Sequence, residues 1–254
     1  MSDPLPTIDI DQLTERDIAK AIDHSLLRPE LDDAFVEDGC RLAAEYDVAS
    51  ACVRPADVAR AAAILGGTDV AVGTTIGFPH GNHRTETKVF EATQALADGA
   101  TELDMVLQIG ALKSGRDAGV GADIAAVVEV AHAAGAIVKV IFENAYLTDD
   151  EKIRACRLSE AAGADFVKTS TGFAPGGATH DDLRLMRANT SPHVGVKAAG
   201  GVRTLDALLE VMALGTTRIG ATATKAIIDD FRARKSGAAP VAAPVAPSAA
   251  EGGY

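Results

Sequence analysis

Positive charge is the scarce commodity in this chain. Of 254 residues, Lys and Arg account for 24 and Asp and Glu for 36, a formal charge of −12, and no basic stretch interrupts that balance. This argues against nucleic acid or any other polyanion as a partner, so a small anion would have to be held by local backbone amides. Cysteine is sparse too. Cys40, Cys52 and Cys156 are odd in number and show no CxxC spacing, which excludes a disulfide framework or zinc ribbon and fits reduced thiols in a cytosolic enzyme. No apolar run approaches the ~18 residues of a membrane span. The start, MSDPLPTIDIDQ, has no basic segment leading into an apolar one. A cytoplasmic protein without a membrane partner is the expectation.

What is present is an ordinary globular balance, 47% apolar and 24% charged, in a chain long enough for one large core. From about residue 22 short β-branched runs alternate with helical spacing, the signature of βα units around a parallel sheet. Eight strands are predicted, near 22–26, 49–53, 69–76, 102–107, 136–142, 164–169, 194–198 and 217–220. Most read as near-continuous apolar runs, as strands covered on both faces should. Helical stretches between them end in glycine at Gly99, Gly135 and Gly163, each just before the next strand. Eight such units predict an α/β fold, a single (β/α)8 TIM barrel. A doubly wound sheet would want a glycine-rich turn after the first strand, and here that strand runs into DHSLLRPE. The segment DIDQLTERDIAKAID predicts an extra N-terminal helix covering the bottom of the barrel. The barrel domain is placed at 1–235. Residues 236–254, SGAAPVAAPVAPSAAEGGY, are Ala/Pro-rich and predict a mobile tail ending in Tyr254.

Three lysines stand inside apolar strand runs: Lys139 in AIVKVIF, Lys168 in ADFVKTS and Lys197 in HVGVKAA. Each alone reads equally as a strand-end lysine reaching for water. Together they predict amines sharing a cavity, where desolvation and like charge bring one toward the pKa of ~7–8 that imine chemistry on a carbonyl requires. If reactive side chains come from the C-terminal strand ends, as in barrels generally, Asp23, Cys52, Arg54, Asp104, Glu143, Lys168 and Lys197 gather in one mouth. Asp104, a carboxylate within ELDMVL, needs partners, as a proton carrier or as a structural ion pair. The loops KTSTGF, AAGGVRT and RIGATAT, with Thr171 and Gly172 in the first, place glycine and small hydroxyl residues where loops meet helix N-termini. That pattern predicts a phosphate site. His24, His80 and His83 show no zinc spacing, and lysine chemistry needs no metal or other cofactor.

DHSLLRP (Asp23 to Pro29), TTIGFPHG (Thr74 to Gly81), ELDMV (Glu102 to Val106), DFVKTSTGF (Asp165 to Phe173) and GVKAAGGVRT (Gly195 to Thr204) closely resemble the deoxyribose-phosphate aldolase family. The likeness runs in order from about residue 20 to 230. It implies a class I aldolase that reversibly cleaves 2-deoxy-D-ribose 5-phosphate to D-glyceraldehyde 3-phosphate and acetaldehyde. It further implies that Lys168 is the Schiff-base nucleophile, Lys197 its cationic neighbour and Asp104 the proton carrier. The residues themselves leave Lys168 and Lys197 undistinguished. The resemblance implies phosphate contacts at Gly172, Gly200, Gly201, Gly220, Ala221 and Thr222, with Asp23, Cys52 and Thr171 toward the substrate. Where some members carry two serines, this chain has Thr222 and Ala223, one hydroxyl fewer. Some members also end in a tyrosine, as here in Tyr254, and a homodimer is compatible with the family. Two other functions stand beside this one: a Schiff-base lyase for a keto-acid or ketose phosphate, and a non-catalytic phosphosugar-binding barrel.

Overall fold

A computed structural model of the protein describes residues 7–237. Eight parallel strands pair in chain order and close on themselves: β1 Ile22–Leu26, β2 Ser50–Val53, β3 Ala71–Ile76, β4 Glu102–Val106, β5 Ile137–Ile141, β6 Phe166–Lys168, β7 Gly195–Ala199 and β8 Arg218–Ala221. Closure comes from β1 pairing with β8, Ile22 opposite Ile219. This is the (β/α)8 barrel that the alternating pattern predicts. Strand bounds fall within about two residues of expectation.

The outer ring consists of α2 Asp33–Glu45, α3 Val58–Leu65, α4 Thr85–Ala97, α6 Asp117–Ala133, α7 Asp149–Ala161, α8 His180–Ala188, α9 Leu205–Ala213 and α10 Thr224–Lys235. The short α1 Glu15–Ala19 precedes the barrel, and α5 Ile109–Lys113 follows β4. Several starts are set by side-chain caps, as at α7, where Thr148 accepts from the Glu151 amide and Glu151 reciprocates, a capping box. Ends are set by glycine. At Gly99, Gly135 and Gly163 the backbone is left-handed, and the next amide reaches back to the carbonyl of Ala95, Ala131 or Ser159. Such an end satisfies carbonyls that would otherwise be orphaned just where the chain turns into a strand.

The extra N-terminal helix is present as α1 but is shorter than the predicted segment. A single long helix is not formed; a 3-10 turn at Ile10–Gln12 is followed by extended Leu13 and then α1, because Asp9 caps the turn and Thr14 with Asp17 starts a new helix. Its place is as expected. The Ala19 carbonyl accepts the Ala49 amide, and the Lys20 ammonium donates to the carbonyls of Val48 and Asp69, at the N-terminal ends of β2 and β3. The far end of α10 meets the same face, where Arg232 pairs with Glu15. Helix α5 was not anticipated, because five residues are too few to show a period.

Apolar side chains fill the layer between barrel and helices, among them Val53, Leu103, Met105, Val138, Val140, Val167, Val196 and Ile219. The barrel interior is different. Glu102 and Asp104 of β4 bond Lys139 of β5, and across the barrel Arg218 of β8 and Lys197 of β7 respectively, contacts that non-neighbouring strands can make only through the interior. Strands β4 to β7 therefore alternate apolar-out and charged-in, rather than being apolar on both faces. Phe166 closes the floor: its ring lies 5.8 Å beneath the Arg218 guanidinium, and a Cβ at Gly195 would fall 2.2 Å from that ring.

Candidate active site

Each member of the interior cluster is placed by strand register. Lys168 is paired directly with Lys197 across β6 and β7, and Lys139 with Asp104 across β4 and β5. Asp104 is the hub: its Oδ1 accepts from the Lys139 ammonium at 2.8 Å, and its Oδ2 accepts from both Lys168 and Lys197 at 2.7 Å. Lys139 also donates to Glu102 at 2.7 Å, which in turn pairs with Arg218 at 2.8 Å. Asp23 accepts from the Ser50 hydroxyl at 2.7 Å, faces Lys197 at 2.5 Å and pairs closely with Arg218. Lys139, Lys168, Lys197, Asp23 and Asp104 are all at most 2% exposed.

For Asp104, Asp23 and Lys139 burial opposes charge, and the opposing neighbours decide the outcome. For Asp104, burial raises the pKa but Lys139, Lys168 and Lys197 together hold it well below the usual carboxylate range. Asp23 is likewise held low against burial by Lys139, Lys197 and Arg218. Burial lowers Lys139, yet Asp104, Asp23 and Glu102 raise it well above an ordinary lysine. Three carboxylates thus favour the charged form of Lys139, a difference from the other two lysines that the sequence could not show. Four bases, Lys139, Lys168, Lys197 and Arg218, face three carboxylates, Asp23, Glu102 and Asp104, so one base is in excess. Lys168 touches one of these carboxylates and Lys197 two.

Beside this cluster a cavity of about 250 Å³ opens between the loops after β6, β7 and β8. It is lined by all six positions expected for phosphate: Gly172, Gly200, Gly201, Gly220, Ala221 and Thr222. Gly220 joins the two regions, since a Cβ there would sit 3.7 Å from the Lys197 Cε. Helix α10 begins directly after this wall with Ala223 as a cap that makes no side-chain bond, leaving its first amides available to an anion. Sequence reasoning missed Gly176, Gly177 and Arg203, which also line the cavity. The second Gly-Gly pair, in APGGAT, was the available signal. A Cβ at Gly200 would meet the Gly177 Cα at 2.9 Å, so both loops need glycine to cross.

Other expected positions fall outside the cavity wall. Asp23 and Cys52 lie inside the barrel, and burial pushes the Cys52 thiol up to about 11. Arg54 turns to the rim, bonding Asp57 and the carbonyls of Arg28 and Pro29. Glu143 bonds Thr171. His24 donates to or accepts from the Thr224 hydroxyl at 2.9 Å, and burial lowers its pKa to about 4. His80 and His83 are exposed. Among the described residues no group of three His, Cys, Asp or Glu side chains is placed to hold a metal. Tyr254 lies outside the described residues.

The loops after β3 and β6 also meet: the rings of Phe78 and Phe173 touch edge to face at 5.3 Å. These strands are three apart in the barrel order, so the aromatic contact spans the rim over β4 and β5.

Residues 12–238 match the family described as DeoC/LacD family aldolase. The chain belongs to that family. Among its relatives, a deoxyribose-phosphate aldolase of Rhodopirellula baltica is 52% identical over 216 residues, 85% of this chain and 90% of the relative. One from Bacillus cytotoxicus is 53% identical over 211 residues, 83% and 94% of the two chains. Solved family structures agree. A putative deoxyribose-phosphate aldolase from Coccidioides immitis superposes with a TM-score of 0.84 at 40% identity, covering 90% of each chain. The enzyme from Aeropyrum pernix, described as tetrameric, gives 0.81 at 30% identity, covering 89% of this chain and 95% of that one.

Proposed function

We propose that the protein reversibly cleaves 2-deoxy-D-ribose 5-phosphate to D-glyceraldehyde 3-phosphate and acetaldehyde, with Lys168 forming the Schiff base. The observation that carries this reading is the sharing of one carboxylate oxygen by two buried lysines, each 2.7 Å from Asp104 Oδ2, beside a glycine-lined cavity at the barrel mouth. A phosphosugar-binding barrel has no use for that cluster, whose burial costs several kcal/mol per ion before pairing.

The substrate's phosphate sits in the cavity on backbone amides, and its aldehyde carbon meets the Lys168 amine. Lys168 first gives up its ammonium proton, passed through a water held at the ionised Asp104 carboxylate; addition gives a carbinolamine, the same proton returns to its hydroxyl, which leaves as water, and a protonated imine forms. Removal of the C3 hydroxyl proton then breaks the C2–C3 bond. The electron pair moves into the imine, giving an enamine on the lysine and free glyceraldehyde 3-phosphate. Protonation at C2 and hydrolysis return acetaldehyde and the amine. Lys197 stays as the cation that holds Asp104 ionised and in place. Lys168 is chosen over Lys197 because it has fewer carboxylate contacts in a cluster with one base to spare.

Sodium borohydride reduction in the presence of acetaldehyde tests this directly: mass spectrometry should find the ethyl adduct on the peptide containing Lys168. Trapping with pyruvate but not acetaldehyde would favour a keto-acid lyase instead. The part of Tyr254 in protonating the enamine rests on family resemblance, and loss of acetaldehyde methyl-proton exchange in Tyr254→Phe is its test. We further place the protein in the cytoplasm, in keeping with three unpaired, buried cysteines. Homodimerisation is read from the family, and sedimentation measures it.

A further inference from the structure

Beyond β5 the chain takes an unusual step. Glu143 has φ 57° and ψ 67°, the left-handed region that a side chain with a Cβ rarely enters, and it is buried. Glycine or asparagine would take this position with less strain. What glutamate adds is a hold on Thr171: its Oε2 accepts the Thr171 amide at 3.1 Å and the Thr171 hydroxyl in a closer contact. The residues on either side grip the same segment. Phe142 donates its amide to the Lys168 carbonyl at 3.0 Å, and Asn144 donates to the Thr169 carbonyl at 2.9 Å. The β5–β6 pairing is thereby continued past Lys168, with the left-handed turn aiming the carboxylate at Thr171.

Thr171 passes the constraint on. Its hydroxyl oxygen accepts the Phe173 amide at 3.0 Å, folding the backbone around Gly172, which lines the phosphate cavity. Three residues, 169 to 171, separate the nucleophile from that cavity wall. Glu143, Asn144 and Phe142 between them hold the first, the last and the lysine itself.

We infer that Glu143 is a positioning residue that fixes the span between the Lys168 amine and the phosphate cavity, so that binding of the phosphate places the substrate's aldehyde carbon on the amine. The inference rests on the aldolase reading above. A substrate held at two points gains only if those points are correctly spaced, and a displacement of about 1 Å can cost ~10²-fold in rate. A substrate without phosphate is held at one point and is nearly indifferent to the spacing.

The test compares 2-deoxyribose 5-phosphate with 2-deoxyribose in the full-length protein. Glu143→Gln keeps the size of the side chain and weakens its grip on Thr171, and Thr171→Val removes the hydroxyl's part of that grip, and the Phe173 acceptor with it, while the amide at 171 can still donate to Glu143. Glu143→Gln should lower the ratio of kcat/KM for the phosphorylated over the plain sugar by about tenfold or more, mainly through kcat. Acetaldehyde trapping by borohydride should fall by less than that. The double variant should lose less than the product of the two single effects, since both weaken the Glu143–Thr171 contact. Equal losses on the two sugars, or fully multiplicative effects in the double variant, would overturn the inference and leave the aldolase reading standing. If the parent neither cleaves the phosphorylated sugar nor traps acetaldehyde, the aldolase reading fails first and takes this inference with it. Should Glu143→Gln not fold, Thr171→Val gives the same ratio, and an unchanged ratio there counts against the proposal.

Discussion

Replacing Asp104 by asparagine should damage stability and catalysis together, with a pH dependence that separates the two. In the parent its two oxygens accept from Lys139, Lys168 and Lys197 at 2.7–2.8 Å, and it is fully buried. Asparagine fits the space but carries no charge, which leaves four bases facing only Asp23 and Glu102. Stranding a buried charge in this way costs about 3–5 kcal/mol. In a domain of this size each kcal/mol moves Tm by about 2–4 °C, so a fall of roughly 6–20 °C is expected near pH 6. An amine without its carboxylate releases its proton more readily in the barrel than in the unfolded chain, so the variant should gain stability relative to the parent as pH rises toward ~10. Turnover should drop by about 10²–10⁴, the scale of lost acid–base help. The assays are urea unfolding at pH 6, 8 and 9.5 and cleavage of deoxyribose 5-phosphate at pH 8. Parent-like stability at pH 6 would refute the account of the cluster as held by Asp104. Near-normal turnover in a destabilised variant would reduce the carboxylate to a structural partner.

Lys168→Arg keeps a cation in the cluster but cannot form an imine, so both turnover and acetaldehyde trapping should vanish while Tm changes little; an adduct on Lys197 would reassign the nucleophile. Gly200→Ala forces a Cβ to within 2.9 Å of the Gly177 backbone at a φ of +79°, so KM for the phosphorylated sugar should rise at least tenfold. Unchanged KM would place the phosphate elsewhere. His24 is neutral in the fold, its pKa lowered by burial to about 4, whereas the unfolded chain takes up the proton near ~6.5. Its contribution is therefore complete above pH ~6.5 and falls by at most about 3 kcal/mol as pH drops to 4. His24→Asn retains a partner for Thr224 without titrating, so the stability gap between parent and variant, measured by urea unfolding, should shrink across that window. A constant gap would show that His24 does not titrate as described.

The alternation of β-branched runs with helical spacing, closed by glycine at residues 99, 135 and 163, was enough to predict eight βα units and hence the barrel, because these signals are local: each depends on what a few neighbouring residues can adopt. The loops that line the cavity after β6, β7 and β8 were legible for the same reason, small residues at loop–helix junctions being a local pattern. The lysines were conspicuous as charges in apolar runs, but their roles were not readable. Lys139, Lys168 and Lys197 look alike along the chain, and only barrel closure sets how many carboxylates each one meets. Lys139 meets three, Lys197 two and Lys168 one. Strand period was misjudged for a related reason. ELDMV reads as mostly apolar, yet Glu102 and Asp104 face inward because cations from β5, β6, β7 and β8 meet them there, an arrangement no window of sequence contains. Glu143 is the sharpest case. Its left-handed backbone and its grip on Thr171, 28 positions away, exist only because β5 and β6 run side by side. The sequence by itself determined the fold and the inventory of charged groups inside it; how many carboxylates each lysine meets, and what braces the segment between Lys168 and the glycine-lined cavity, was decided by the tertiary structure, since charge balance and spacing are properties of positions in space.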